Sequence, residues 1–198
     1  VLLSKVILGG IFFFFFSDFI ITTLSTLHKY VDKIKINYIL KAFFGGMLLV
    51  ILTLIIGEDY LGLGFHTIKD SLSYNIEAYE NVPWYAFIMK TIFTSITLAF
   101  GGSGGVITPI FYVGATSGNF FGYLVDGYIT LFAALGFVSV LAGTTSAPIA
   151  AMIMAVELFG MDVGHYAAIS IIIAFLMTGH RSVFPSQLLS MKKSEAID

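Results

Sequence analysis

The run Gly101-Gly102-Ser103-Gly104-Gly105-Val106-Ile107-Thr108-Pro109 sets glycines and a proline between two strongly apolar segments. Glycine lets the backbone turn sharply, and proline is favoured at the first position of a helix, where its missing N–H would have been unpaired anyway. The spacing predicts that one membrane helix stops here and that another starts, at Pro109, inside the bilayer. Such a start leaves N–H groups from about Val106 to Phe111 without acceptors, and their partial positive charge makes an anion their natural partner. Broken backbone is tolerated at membrane depth only where protein buries it or it lines a wet cavity, and transporters place ion sites at such breaks. The chemistry predicted is the holding of an anion by backbone dipoles. By itself, a glycine–proline run is more often a kink that holds no ligand.

Other residue types offer less. Glu157 ends an apolar helix, where a carboxylate is costly enough to suggest function. Its expected role is structural: capping N–H groups or pairing with a cation. Asp18 and Asp126 lie nearer predicted ends and carry less weight. His165 and His180 flank one helix and stand at its opposite ends, since each residue advances the helix by about 1.5 Å, so no shared metal is predicted. No Ser-His-Asp order, His-Glu-x-x-His pair or carboxylate cluster supports hydrolysis, and the chain is read as no enzyme. No metal or cofactor is expected; the only ligand is chloride or another small anion. The phenylalanines from Phe12 to Phe16 are read as a lipid-facing or packing surface.

Composition places these features in a bilayer. Hydrophobic residues make up 58% of the 198 and charged ones only 11%, with no cysteine; mean hydropathy is +0.94. These values belong to a multi-pass membrane protein. A net charge of −2 with scattered cations offers nucleic acid no basic patch. Beginning at Val1 in an apolar run, the chain is read as a fragment of something longer.

Apolar spans are predicted over 6–27, interrupted by Asp18, and over 37–56, with Lys41 able to snorkel. Residues 58–83 form the most polar stretch, a loop with one short helix. A third apolar segment, 84–100, opens on Trp84-Tyr85 in the manner of an aromatic belt and ends at the glycine break. Beyond it come helices over 109–125, 128–142, 148–159 and 165–178. A second small-residue break is predicted at Gly143-Thr144-Thr145-Ser146-Ala147-Pro148. Gly114, Gly118 and Gly122, four apart, clear one helix face for a close neighbour. Lys29, Lys33, Lys35 and Lys41 after the first span, and Lys192-Lys193 after the last, put both basic ends in the cytoplasm. Tilted and half-spanning helices suit these lengths better than simple up-and-down crossings.

The residues also resemble a known family. Gly104-Gly105-Val106-Ile107-Thr108-Pro109-Ile110-Phe111, continuing through Gly114-Ala115 to Gly118, is similar to the G-x-F-x-P anion signature of CLC chloride channels and proton-coupled chloride transporters. The second break, followed by Ala155-Val156-Glu157-Leu158-Phe159-Gly160, resembles that family's small-residue loop and the F-E-L-T-G-like end of its next helix. The resemblance implies an all-α, CLC-like C-terminal half of the membrane domain over residues 1–198, from its tenth helix to its eighteenth. It implies anion transport across the cell membrane, chloride first, as a channel or a proton antiporter. Gly105, Val106 and Ile107 would bind the anion, with Phe184 lining the site. Ile107 replaces the signature's aromatic, and Phe184 stands where the family carries a pore tyrosine. The family's G-S-G-x-P and G-K-x-G-P loops are absent from this chain. A homodimer is also implied, with Ala150, Ala151, Ile169 and Ile171 suited to its interface. The competing readings are a non-conducting membrane scaffold, in which the breaks serve only packing, and an intramembrane enzyme.

Overall fold

The computed structural model of the chain describes residues 2–75, 77 and 80–184. Lys192, Lys193 and the tail beyond Phe184 lie outside the described residues. Among those described there are helices and no strand: α1 Leu2–Lys33, α2 Tyr38–Ile56, α3 Phe65–Ser71, α4 Ala86–Ala99, α5 Ile107–Leu124, α6 Ile129–Thr145, α7 Pro148–Phe159 and α8 Met161–Thr178. The all-α architecture with broken and half-length helices is as expected, and α1, α2 and α8 are each long and apolar enough to cross a membrane.

The tightest contact is between α5 and α6, and glycine makes it possible. A Cβ on Gly118 would stand 2.1 Å from the Phe132 carbonyl oxygen, and one on Gly114 2.6 Å from that of Gly136. Gly122 meets the Ile129 backbone at 2.7 Å in the same way. The glycine stripe thus lies along α6, antiparallel to it, which is how helices associate in lipid where no hydrophobic drive exists between them.

Around this pair, α1, α6 and α8 run side by side in one direction. Gly10 of α1 abuts Ser170 and Ile173 of α8, while Gly143 of α6 abuts Ser17 and Thr178. Small hydroxyl residues close the seam: Ser139 Oγ and Ser170 Oγ are 2.9 Å apart, and Ser17 Oγ donates to the Phe13 carbonyl at 3.0 Å. The phenylalanine run divides between packing and exposure. Phe13 is fully buried and Phe15 exposed, while the rings of Phe12 and Phe16 meet Phe121 at 4.9 Å and Phe87 at 4.7 Å.

The 32 residues of α1 extend about 48 Å, well beyond a hydrocarbon core of about 30 Å. Ser17, midway along α1, touches Gly143 at the end of α6. Ile20 and Leu24 share a small cavity with Val106 and Pro109 at the start of α5. Both breaks thus lie beside the interior of the longest helix and not beside its ends.

Several expectations are corrected. The first span does not end near residue 27 but continues helical to Lys33, since nothing in 28–33 breaks a helix. The second break is shorter than predicted: Gly143, Thr144 and Thr145 stay helical, and the chain turns at Ser146, which is left-handed at φ 59°. Pro148 then opens α7. Ala151 and Ile171 are fully buried inside this chain and are not available to a partner. The large apolar side chains left exposed on α7 and α8 are instead Ile149, Ile153, Val156, Leu158, Met161, Ile172 and Leu176.

Candidate anion site at the first helix break

The break is built from two helix ends of opposite kind. α4 closes with a paired motif in which the Gly102 amide donates to the Thr97 carbonyl at 2.8 Å and the Gly101 amide to Leu98 at 3.2 Å. Gly101 is left-handed, φ 87°, a conformation glycine adopts without strain. The carbonyl end of α4 is thereby satisfied, and the chain leaves it through Ser103, Gly104 and Gly105. α2 backs this turn, with Gly45 against the Phe100 ring and Tyr38 beside Gly101.

α5 then starts two residues earlier than the proline implies: Val106 is the cap, Ile107 the first helical residue and Pro109 the third. Proline fits there because the third amide is also unpaired in a helix. The first amide taken up by the helix is that of Ile110, which donates to Val106 at 3.1 Å. The predicted donor range from Val106 to Phe111 is therefore too long. Val106, Ile107 and Thr108 are the N–H groups without an intrahelical acceptor, and no side chain caps them. The side of the break is open: a Cβ on Gly105 would meet nothing within 4 Å, and Ile107 is 38% exposed. Three amides and the positive end of an 18-residue helix, beside the interior of α1, can hold a small anion by partial charge alone.

Phe184 is positioned separately. Its segment is tied to the carbonyl end of α6: the Val183 amide donates to Thr144 at 2.9 Å, and Ser182 Oγ donates to the same carbonyl at 3.2 Å. The Phe184 amide donates to Ser182 Oγ at 3.2 Å, leaving the ring half exposed. Gly105, Val106 and Ile107 are thus consecutive at one break and Phe184 hangs from the other. No hydrogen bond or ring contact among the described residues joins them.

The remaining charged candidates take structural places. Asp18 pairs with Arg181, whose Nη2 donates to Thr22 Oγ1 at 2.7 Å, fastening the segment after α8 to the middle of α1. Asp126 is the left-handed residue that ends α5, φ 47°, and Lys5 Nζ caps that end through the Val125 carbonyl at 2.6 Å. Glu157 is exposed on α7 and pairs with no cation among the described residues, so neither capping nor ion pairing accounts for it.

Sequence reasoning missed Lys90. It is 1% exposed, among the largest side chains wholly inside the protein. Its Nζ donates to the carbonyls of Tyr60 at 3.1 Å and Gly62 at 2.7 Å, and lies 5.0 Å from the centre of the Tyr112 ring. The available signal was a lysine in the interior of the apolar run 84–100.

Comparison with known proteins agrees with this architecture. Residues 2–179 match the family described as voltage gated chloride channel. A chloride/fluoride channel protein of Pseudomonas syringae pv. tomato is 32% identical over 195 residues, covering 95% of this chain and 42% of that protein. An uncharacterised protein of Methanocaldococcus jannaschii is 30% identical over 178 residues, 90% of this chain and 44% of its own length. Among solved structures, a CLC-type fluoride/proton antiporter superposes with a TM-score of 0.86 at 25% identity, over 93% of this chain and 46% of that one. The chain spans less than half the length of each of these relatives.

Proposed function

Because the chain belongs to the voltage-gated chloride channel family, we propose that it is the C-terminal half of a membrane anion pathway. The amides of Val106, Ile107 and Thr108, with Gly105 leaving room, form one wall of a halide site. The observation that carries this is the start of α5: three amides without an intrahelical acceptor, uncapped and opening to one side, beside the interior of a helix long enough to cross the bilayer. Partial charges suit a halide that must leave again. They replace hydration without the tight hold of a direct lysine contact, and modest affinity is what conduction needs. Phe184 contributes a ring edge from the second break. The open side of Gly105 receives donors from the complementary half of the pathway, and the complete protein is a homodimer. No bond is made or broken, so the protein moves its ligand unchanged.

Efflux from liposomes tests this. The complete protein loaded with chloride or fluoride should release halide far faster than protein-free vesicles. A scaffold would give no flux with either ion, and that result would overturn the proposal.

A further inference from the structure

We infer that the crevice where the ends of α1, α6, α7 and α8 meet binds one phospholipid with an ammonium-bearing head group, its cation held beside Asp162 and tyrosine rings and its phosphate by Lys5. The inference goes beyond the anion pathway and does not depend on it.

The crevice has a volume of about 780 Å³. Leu2 at the start of α1, Tyr128 before α6, Phe159 at the end of α7 and Asp162 at the start of α8 all line it. Another wall is the segment after α3 that carries Tyr74. Thr130 Oγ1 fastens that segment to α6 by donating to the Ser73 carbonyl at 2.8 Å, across 57 positions of sequence. The lining changes character with depth. Ala134 is buried and Leu131 and Val163 are half-buried, whereas Tyr74, Tyr128 and Asp162 are exposed. An apolar floor under a polar, aromatic mouth fits an amphiphile. The mouth also belongs at the membrane surface, because tyrosine gathers at the membrane–water boundary. The chain at Asp126 and Tyr128 is exposed and non-helical, and such chain is not found against the hydrocarbon.

The charges at the mouth select the head group. Asp162 pairs with no cation among the described residues, and Tyr74, Tyr128 and Tyr166 line the same crevice. A carboxylate beside aromatic rings is the chemistry that holds an alkylammonium: the rings attract the cation through their quadrupoles, and the carboxylate supplies the counter-charge. Lys5 supplies the opposite charge. It lines an adjoining space of about 420 Å³, which shares Leu2, Gly127 and Tyr128 with the crevice. Its Nζ donates to the carbonyls of Val125 at 2.6 Å and Asp126 at 3.4 Å, and an ammonium has three donors, so one is left for a phosphate oxygen. Asp126 lines that space as well. Two carboxylates against one lysine favour a zwitterionic head group over an anionic one. The acyl chains then lie over the apolar floor and run out into the bilayer.

The test uses the complete protein in a maltoside detergent, titrated with phospholipids of equal chains that carry choline, ethanolamine or glycerol head groups. Native mass spectrometry counts the lipid retained. One exposed ion pair together with one ring contact corresponds to a preference on the order of tenfold, so one choline or ethanolamine lipid per subunit should be retained about that much better than the glycerol lipid. The preference should vanish with Asp162→Asn and survive with Asp162→Glu, and free phosphocholine, which lacks chains for the floor, should compete weakly. Equal retention of the three head groups would overturn the inference, as would no retained lipid because protein fills the crevice in the complete molecule. A preference unchanged in Asp162→Asn would overturn it too. Phosphocholine competing as strongly as the lipid would assign the crevice to a soluble ammonium compound and overturn the lipid. The head-group comparison in the parent protein decides the matter even if Asp162→Asn fails to fold. Binding is read by mass, so a failure of halide flux refutes the pathway and leaves this result standing.

Discussion

Replacing Ile107 by proline removes a single donor from the site and little else. Ile107 is the first helical residue of α5, the position where proline's fixed φ is already suitable and where the lost N–H breaks no intrahelical bond. The ladder that begins with the Ile110 amide stays whole. The site loses one of three amides, and a hydrogen bond to a charged group is worth roughly 1.5–3 kcal/mol, which corresponds to an affinity about 10- to 150-fold weaker. One structural cost accompanies this: Val106 sits in the helical region at φ −89°, ψ −28°, which is disfavoured before proline. That strain appears as a lower melting temperature without halide, so it can be separated from the binding loss. Ile107→Phe is the control, since it keeps the amide and Ile107 is exposed enough to take a ring without entering the core. Calorimetric titration of the complete protein with halide should give much weaker binding for Ile107→Pro and near-parent binding for Ile107→Phe. Equal affinities for the two variants would refute a backbone donor at position 107.

Gly118→Ala should destabilise strongly, because its Cβ would stand 2.1 Å from the Phe132 oxygen and α5 would have to move away from α6, at a cost of about 1–3 kcal/mol. Gly105→Ala, with nothing within 4 Å, should leave thermal unfolding in detergent unchanged; an equal loss in both would contradict the packing account. Phe184→Tyr should tighten halide binding severalfold, since one neutral hydrogen bond is worth roughly 0.5–1.5 kcal/mol, and an unchanged Kd would remove Phe184 from the site. The complete protein should have a dimeric mass that Ile153→Glu, on the exposed face of α7, converts to monomer; a dimer indifferent to this change would place the interface elsewhere.

The features read correctly from sequence are those a backbone rule decides. Glycines at 114, 118 and 122 imply a helix laid against them whatever its sequence, and α6 lies there. Pro148 opens α7 as a proline should. The same rule misplaced the start of α5 by two residues, because proline is tolerated at any of the first helical positions, all of which have unpaired amides. The second break was read too long because glycine and threonines suggest a turn. In α6, Thr144 and Thr145 bond back to carbonyls of Val140 and Leu141 at 2.7 Å each, and Gly143 is required for contact with Ser17 and Thr178. Small polar residues that look like a loop are helix-packing residues in lipid.

What stayed hidden depends on residues distant in the chain. Nothing near Asp18 announces Arg181, and nothing near Lys90 announces the carbonyls of Tyr60 and Gly62 some thirty positions earlier. Both are cases of a charge in an apolar helix, and their sequence contexts are alike, yet their environments differ in the respect that matters. Asp18 meets an opposite charge and becomes a fastening between α1 and the segment after α8. Lys90 meets two backbone carbonyls and an aromatic face, and no carboxylate pairs with it among the described residues. The partner therefore decides whether a charge in an apolar helix fastens two elements by an ion pair, as Asp18 does, or is held by backbone carbonyls and a ring, as Lys90 is.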